Sequence, residues 1–261
     1  MFTALWRYRH FVVASITGEL KSRFVRSRLG LLWSILHPLA QAAIFALVLA
    51  EVLGAKLGGL DDKSAYPLYL LGGMAAWTLF SEIVNRCLTV FIDNASTMKK
   101  ISFPRICLPF IVWGNALLNH FFLLISILII IFFFGKVPGS AWIALPLGIA
   151  LISTFAFGLG MILGILNVFS RDVGQVTTVA LQLWFWVTPI VYPSSIVPSH
   201  LQWIQQMNPL APLINIYQQA LVYNEFPSLV LLIYPAAVSF ILFALSFYMF
   251  KRASPEIVDV L

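Results

Sequence analysis

The chain of 261 residues is 61% hydrophobic and only 10% charged, with a mean hydropathy of +0.93, where a soluble domain carries about 25% charged residues. A soluble fold of this size cannot cover so much apolar surface, and intrinsic disorder needs the opposite balance. Sixteen Lys and Arg against ten Asp and Glu give a net charge of +6, but 22 Phe outnumber the basic residues, so the composition fits a bilayer better than a nucleic acid.

Residues 1–28 are too charged to cross a membrane. Tyr8, Val12, Ile16, Leu20 and Phe24 recur every four residues, while Arg7, Arg9, Lys21, Arg23, Arg26 and Arg28 crowd the two ends. That pattern predicts an amphipathic helix along the inner headgroup layer, its cations meeting anionic lipid. The alternative is a soluble arm that merely satisfies the positive-inside rule. The apolar stretch 11–16 is short, runs into Glu19 and Lys21 and offers no small-residue cleavage site, so the segment reads as mature chain and not as a signal peptide.

Six stretches reach the roughly 20 apolar residues a spanning helix needs: 29–53, 66–91, 108–134, 141–169, 173–192 and 228–250. None alternates as a barrel strand does, and no repeat of 20–50 residues recurs. The expectation is one all-α integral membrane domain over 29–261, preceded by the helix of 1–28. Twelve Lys and Arg fall on the side of the N-terminal segment, including Lys99, Lys100, Arg105, Arg171, Lys251 and Arg252, against Lys56, Lys63 and Lys136 on the other. By the positive-inside rule both termini are then cytoplasmic. Cys87 and Cys107 lie towards the reducing side and read as plain thiols.

Two connections stand out. In 93–105, Asp93 or Asn94 can cap a short helix whose C-terminal end suits Lys99 and Lys100, before Phe103-Pro104 stops it. Segment 193–227 is external, long, and carries Glu225 as its sole acid and no Lys or Arg. Two patterned pieces, 200–207 and 213–223, flank the proline-containing 208–212. We read them as short helices dipping into the outer leaflet, which requires protein or a wet cavity to shield their ends; the alternative is a surface cap.

Chemistry-bearing residues are sparse. No phosphate loop, Gly-x-Ser-x-Gly, His-Glu-x-x-His or metal-ligand cluster is present in the sequence, so nucleotide binding by a Walker loop is excluded. Glu82 and Arg86, spaced i, i+4 in the second span, share a face with Thr78, Asn85 and Thr89 that should look inwards, as a structural ion pair or as a water-filled path. In the fifth span Gln175, Thr178, Gln182, Trp186 and Pro189 fall on one helical arc, with Trp184 off it and towards lipid. Ser34, His37 and Gln41 mark a similar face in the first span, with Pro38 as a kink. Such stripes either glue helices together or line a route on which amides meet sugar hydroxyls and indoles meet sugar C–H faces. Gly160 and Gly164 form a GxxxG pair, a sign of close packing within or between subunits.

The ordered segments resemble a known family. A basic N-terminus leads into Arg28-Leu29-Gly30-Leu31-Leu32-Trp33-Ser34-Ile35-Leu36-His37-Pro38-Leu39, the second cytoplasmic turn ends Ile101-Ser102-Phe103-Pro104-Arg105-Ile106-Cys107-Leu108-Pro109, Arg171-Asp172-Val173 opens the fifth span, and Thr188-Pro189-Ile190-Val191-Tyr192 closes it. Over essentially the whole chain this is similar to the membrane subunit of the ABC-2 polysaccharide exporters, the O-antigen, capsule and teichoic acid permeases. His37 stands where that family usually has Asn.

The resemblance implies a homodimer in the bacterial inner membrane with two copies of a separate ATPase, which holds ATP and Mg2+; this chain itself is expected to bind no cofactor or metal and to be no enzyme. It implies export of a lipid-linked polysaccharide, O-antigen first among the candidates, through a channel lined in part by aromatic residues, here Trp77 and Trp186 with Glu82, Arg86, Gln175, Thr178 and Gln182. Ser96, Thr97, Met98, Lys99, Lys100 and Phe103 would form the coupling helix that enters the ATPase. Trp203, Pro209, Pro212 and Tyr217 would belong to external gate helices. Two other readings remain: an ABC-2 permease for a small amphiphile or lipid, whose lining would be closed and aliphatic, and a membrane-embedded transferase acting on lipid-linked sugars. The latter would need clustered acids, and the one acidic pair, Asp61-Asp62 beside Lys63, reads as solvent-facing.

Overall fold

A computed structural model describes residues 2–26, the single positions 33, 36, 40 and 44, and residues 64–101 and 103–260. The expected first span, its face of Ser34, His37 and Gln41, and Asp61-Asp62 lie outside the described residues. Among those described there are helices and no strand. In chain order the helices are α1 (Phe2–Arg7), α2 (Arg9–Arg26), α3 (Ala65–Asp93), α4 (Ala95–Lys100), α5 (Cys107–Phe133), α6 (Leu145–Phe169), α7 (Asp172–Val187), α8 (Gln202–Met207), α9 (Leu210–Gln218), α10 (Leu229–Ala253) and α11 (Ile257–Val260). Four of them are long and apolar enough to span a bilayer: α3, α5, α6 with the 3-10 turn Ser140–Ala144 before it, and α10.

These four match four of the six expected spans. Three of the four starts share a device: Pro67, Pro109 and Pro146 each sit in the first helical turn, where a missing N–H costs nothing because that donor has no intrahelical partner. The expected fifth span is shorter. α7 stops at Val187, five residues before Tyr192; its 16 residues cover about 24 Å at 1.5 Å per residue, less than the ~30 Å of hydrocarbon. Pro189 accounts for the stop, since it cannot continue the ladder and drives Thr188 into the extended region (ψ 135°).

α3 and α6 form the middle of the bundle and are mostly buried in protein, while α5 and α10 leave most of their surface outward. The contact between α3 and α6 rests on Gly160 and Gly164. A Cβ on Gly164 would come within 2.3 Å of the Cys87 carbonyl oxygen, and one on Gly160 within 2.9 Å of the Cys87 side chain. The GxxxG pair therefore packs within the chain. Asn167 completes the seam: its amide donates to the Leu88 carbonyl (2.9 Å), and its oxygen accepts from the Gly174 N–H (3.1 Å) at the start of α7. On the far side of α6, Phe110, Trp113, Phe157, Phe243 and Phe247 stack α5 and α10 together.

The N-terminal segment is two helices, broken at Tyr8, not one. The expected stripe is real, since Tyr8, Val12, Ile16 and Leu20 are its sheltered positions. It seats on α5, with Ile16 directly over Gly114, so this apolar face packs on protein. Trp6, Phe11 and Val13 stay exposed. α4 spans Ala95–Lys100, shorter than 93–105, and is not capped as expected: Asp93 accepts from Thr89 (2.6 Å) and Asn94 donates back to the Val90 carbonyl (2.8 Å). The second re-entrant piece begins at Leu210, not 213, because Pro209 and Pro212 occupy its N-cap and first turn.

The glycine seam yields a stability prediction. Gly164→Ala should lower the thermal unfolding midpoint of the detergent-solubilised protein by the equivalent of ~1–3 kcal/mol, the usual cost of overpacking. Gly18→Ala, whose Cβ meets nothing within 4 Å inside α2, should not lower it and should raise it slightly through helix propensity.

Candidate functional site

α3 and α7 run side by side and leave between them an open groove of about 370 Å³. Trp77, Ser81 and Asn85 line it from α3, at the four-residue spacing that puts side chains on one helix face. Thr178, Leu181, Gln182, Phe185 and Trp186 line it from α7. Trp77 is almost buried against Phe80 (5.3 Å) and Phe185 (5.4 Å), whereas Trp186 is 65% exposed beside Phe185 (5.6 Å). The wall therefore offers hydroxyls, amides and indoles and no charge. Of the residues expected to line a route, Trp77, Thr178, Gln182 and Trp186 come together here. Gln175 is exposed on α7 outside the groove. Trp184 is a correction: it turns inward, packs on Phe80 (5.4 Å) and Phe155 (6.1 Å), and donates to Asn208 (2.9 Å).

Glu82 and Arg86 do not reach the groove. Arg86 reaches both oxygens of Glu19 at 2.9 Å from one guanidinium nitrogen, a charge-assisted contact, and holds Glu82 at 3.4 Å from the other. Asn115 and Asn119 of α5 donate to Glu19 and Glu82. The five side chains tie α2, α3 and α5 together, so the i, i+4 pair read from the sequence is one side of a three-helix network. Thr78 and Asn85, expected to look inwards with them, are exposed.

At the end of the bundle where α3 hands over to α4, Ser96, Lys99 and Lys100 are exposed, Thr97 is half-buried, and Met98 is buried in the same apolar cluster as Ile257 of α11. Phe103 packs on Phe11 of α2 at 5.4 Å, and Arg105 donates to the Ser254 carbonyl. Both ends of the chain thus gather on α4, leaving its lysines as the free handle.

At the opposite end, residues 189–192 have left the helical ladder, and side chains of α3 and α9 take three of their carbonyls. Tyr66 donates to Val191 (2.7 Å), Tyr69 to Pro189 (3.2 Å) and Tyr192 (3.1 Å), and Gln218 to Pro189 (3.0 Å). Asn208, buried between α8 and α9, donates to the Thr188 hydroxyl (2.9 Å) and accepts from Trp184 and from the Leu210 N–H (3.0 Å). Tyr217 of α9 is fully buried and shares a 2.9 Å hydrogen bond with His120 of α5, while Trp203 of α8 is 58% exposed. Burial pushes the Tyr192 and Tyr223 phenols above their ordinary value, with Glu225 adding to the effect at Tyr223, so both stay neutral hydrogen-bonding groups. Among the described residues no three His, Cys, Asp or Glu side chains come together as a metal site would need.

The sequence profile of the ABC-2 type transporter family matches residues 11–226, from within α2 to the last residue before Pro227. The chain belongs to the ABC-2 type transporter family. It is 32% identical over 210 residues to the O-antigen export system permease protein RfbA of Klebsiella pneumoniae, covering 78% of this chain and 76% of that one. It is 27% identical over 257 residues to the RfbA permease of Myxococcus xanthus, with 98% and 96% covered. The polysialic acid transport protein KpsM of Escherichia coli shares 24% identity over 217 residues, 80% of each chain. An ABC-2 chain with four helices of spanning length is a multi-pass membrane transporter subunit.

Within this ABC-2 fold the sequence reading missed the asparagines that fasten it. Asn115, Asn167, Asn208 and Asn224 all bond across elements. Asn224 does so from a left-handed backbone (φ 53°), accepting from the Ala141 N–H (3.0 Å) and lying against Gly139. The available signal was the rarity of amides in apolar stretches, each of which must find a partner. Asn208→Ala strips partners from Trp184 and Thr188, and a buried orphaned group costs ~1–3 kcal/mol. The variant should show a lower thermal midpoint and faster protease cleavage within 193–227; exposed His200→Ala should show neither.

Proposed function

We propose that the chain is the membrane subunit of an ABC exporter that moves a lipid-linked polysaccharide of the O-antigen kind across the bacterial inner membrane. Two copies would face each other, with two separate ATPase subunits binding ATP and Mg2+ beneath them. The observation that carries this reading is the uncharged groove of Asn85, Gln182, Thr178, Trp77 and Trp186, on a chain whose relatives are named as O-antigen export permeases. A lipid or small amphiphile would want an aliphatic wall, and a transferase would want acids; the groove offers neither.

The lysines set the orientation by the positive-inside rule. The end with α4, α2 and α11 is cytoplasmic, the end with α8 and α9 external, and both termini are inside. Work enters at α4, where Lys99, Lys100 and Ser96 are presented to the ATPase and Met98 and Phe103 anchor the helix to the body. Only Asn94 separates α4 from α3, a helix of 29 residues and about 44 Å. A displacement at α4 therefore reaches Asn85, Ser81 and Trp77 along one rigid rod and widens the seam between copies. The network of Glu19, Arg86 and Glu82 makes α2 move with it.

Replacing Lys99, Lys100 and Phe103 together with Ala should leave the complex assembled but reduce export at least tenfold, with ATP turnover no longer tied to cargo. Unchanged export and turnover would remove α4 from this role. A strain lacking the gene should accumulate finished glycan on the cytoplasmic leaflet; normal surface glycan in that strain would overturn the export reading itself. Glu19→Gln and Arg86→Gln should each impair export severalfold, and the double variant no more than the worse single one, because both break the same contact.

A further inference from the structure

A second cavity, of about 460 Å³, opens at the end of the bundle away from the lysines, between the bend at Pro189, α8, α9 and the start of α10. It shares no residue with the groove. Gln202, Gln205 and Gln206 present one face of α8 to it, at the i, i+3, i+4 spacing that aligns side chains; Asn215 and Gln219 answer from the other wall. Apolar surface comes from Pro189, Pro212 and Leu232. None of the described residues lining it is ionisable, although it opens on a surface where charge is cheap. Its volume lies within the ~300–1,000 Å³ of small-ligand sites.

Two of its amides are incomplete. The Oε1 of Gln219 and the Nε2 of Gln205 are shut off from solvent and find no hydrogen-bond partner among the described residues; Gln205 lies beside the Tyr192 phenol without a bond of sound geometry. Buried groups of this kind are normally satisfied, and an orphan marks a missing partner. The last torsion of a glutamine is soft, so either amide can turn its orphan towards a molecule in the cavity it lines. Gln219 also opens the π-helical turn Gln219–Tyr223, and such widened turns are frequent at functional sites.

We propose that this cavity binds an uncharged sugar segment. Amides donate and accept at once, as sugar hydroxyls do, and the prolines and leucine suit the C–H faces of a ring. A carboxylate or phosphate finds no cation in the lining. Because the walls belong to α8, α9 and α10, a bound segment bridges the external helices and holds emerging glycan there after it leaves the seam. The inference rests on the export reading for that last consequence only; binding itself stands apart from it.

The test uses the full chain in lipid nanodiscs and saturation-transfer NMR. The probes are neutral glucose, mannose and galactose heptamers and, for comparison, a galacturonate heptamer of equal length. At least one neutral oligomer should give transfer signals, reduced fivefold or more by Asn215→Leu with Gln219→Leu and separately by Gln205→Leu, with thermal midpoints confirming that the variants fold. The galacturonate oligomer should give none. Silence from all neutral oligomers, equal binding of galacturonate, or binding unchanged in the folded variants would overturn the inference. Each of those results leaves the export reading standing if the deletion strain still accumulates glycan inside; a deletion strain with normal surface glycan overturns export without touching the binding result.

Discussion

Inside hydrocarbon every backbone N–H and C=O must find its partner within the protein, and the break after Val187 is where this chain meets that demand outside a helix. Four residues from Pro189 to Tyr192 lose the ladder, and the carbonyls of Pro189, Val191 and Tyr192 are taken by Tyr66, Tyr69 and Gln218, with Asn208 holding the Thr188 hydroxyl. Those donors come from the start of α3, from α9 and from the α8–α9 joint. The break is consequently the knot that fixes where α7 ends, how α3 lies beside it and where α8 and α9 sit. The groove hangs below the knot and the amide-lined cavity beside it, so the shapes of both follow from how these carbonyls are paired.

The same constraint divides the molecule mechanically. α3 is welded to α6 by Gly160, Gly164 and Asn167, a contact with no slack for a single methyl group. α2 is attached through side chains alone, by Ile16 over Gly114 and by Glu19 held between Arg86 and Asn115, without the glycine-tight approach of the α3–α6 seam. A rigid pair of rods with a looser helix at one end is suited to carrying a push from α4 upward with little lost in bending, since packed interiors transmit displacement instead of absorbing it.

What the sequence made legible was whatever long periodic runs encode. Four spans came out within a few residues of their observed ends, and the stripe of Tyr8, Val12, Ile16 and Leu20 was correctly read as one face. Thr178, Gln182 and Trp186 were placed on one arc by helical spacing, whereas Trp77 was named through the family resemblance and not by spacing. The failures are tertiary. That Arg86 would find Glu19, 67 positions away, in addition to Glu82 at i, i+4 is invisible to periodicity. Trp184 sits off the polar arc, and only the position of Asn208 decides that off the arc means inward. The fifth span was overextended because 183–192 is mostly apolar, and hydropathy does not register that Pro189 ends the ladder early.

The groove's exposure carries one further consequence. In the single chain Asn85 of α3 and Thr178, Gln182 and Trp186 of α7 lie open, yet Val176, Val179 and Leu183 of α7 are exposed and apolar. Lipid suits the second set and penalises the first, because amides stranded in hydrocarbon lose the water they need. One helix therefore presents two solvents' worth of surface along its length. On the proposed function a second copy of the chain across the seam would resolve the conflict, covering the amide stripe with protein while the copies are closed and wetting it when they part. The groups that make the groove suitable for sugar are thus the ones that make a lone chain in a bilayer unfavourable, so pairing and cargo route are two readings of a single polar stripe.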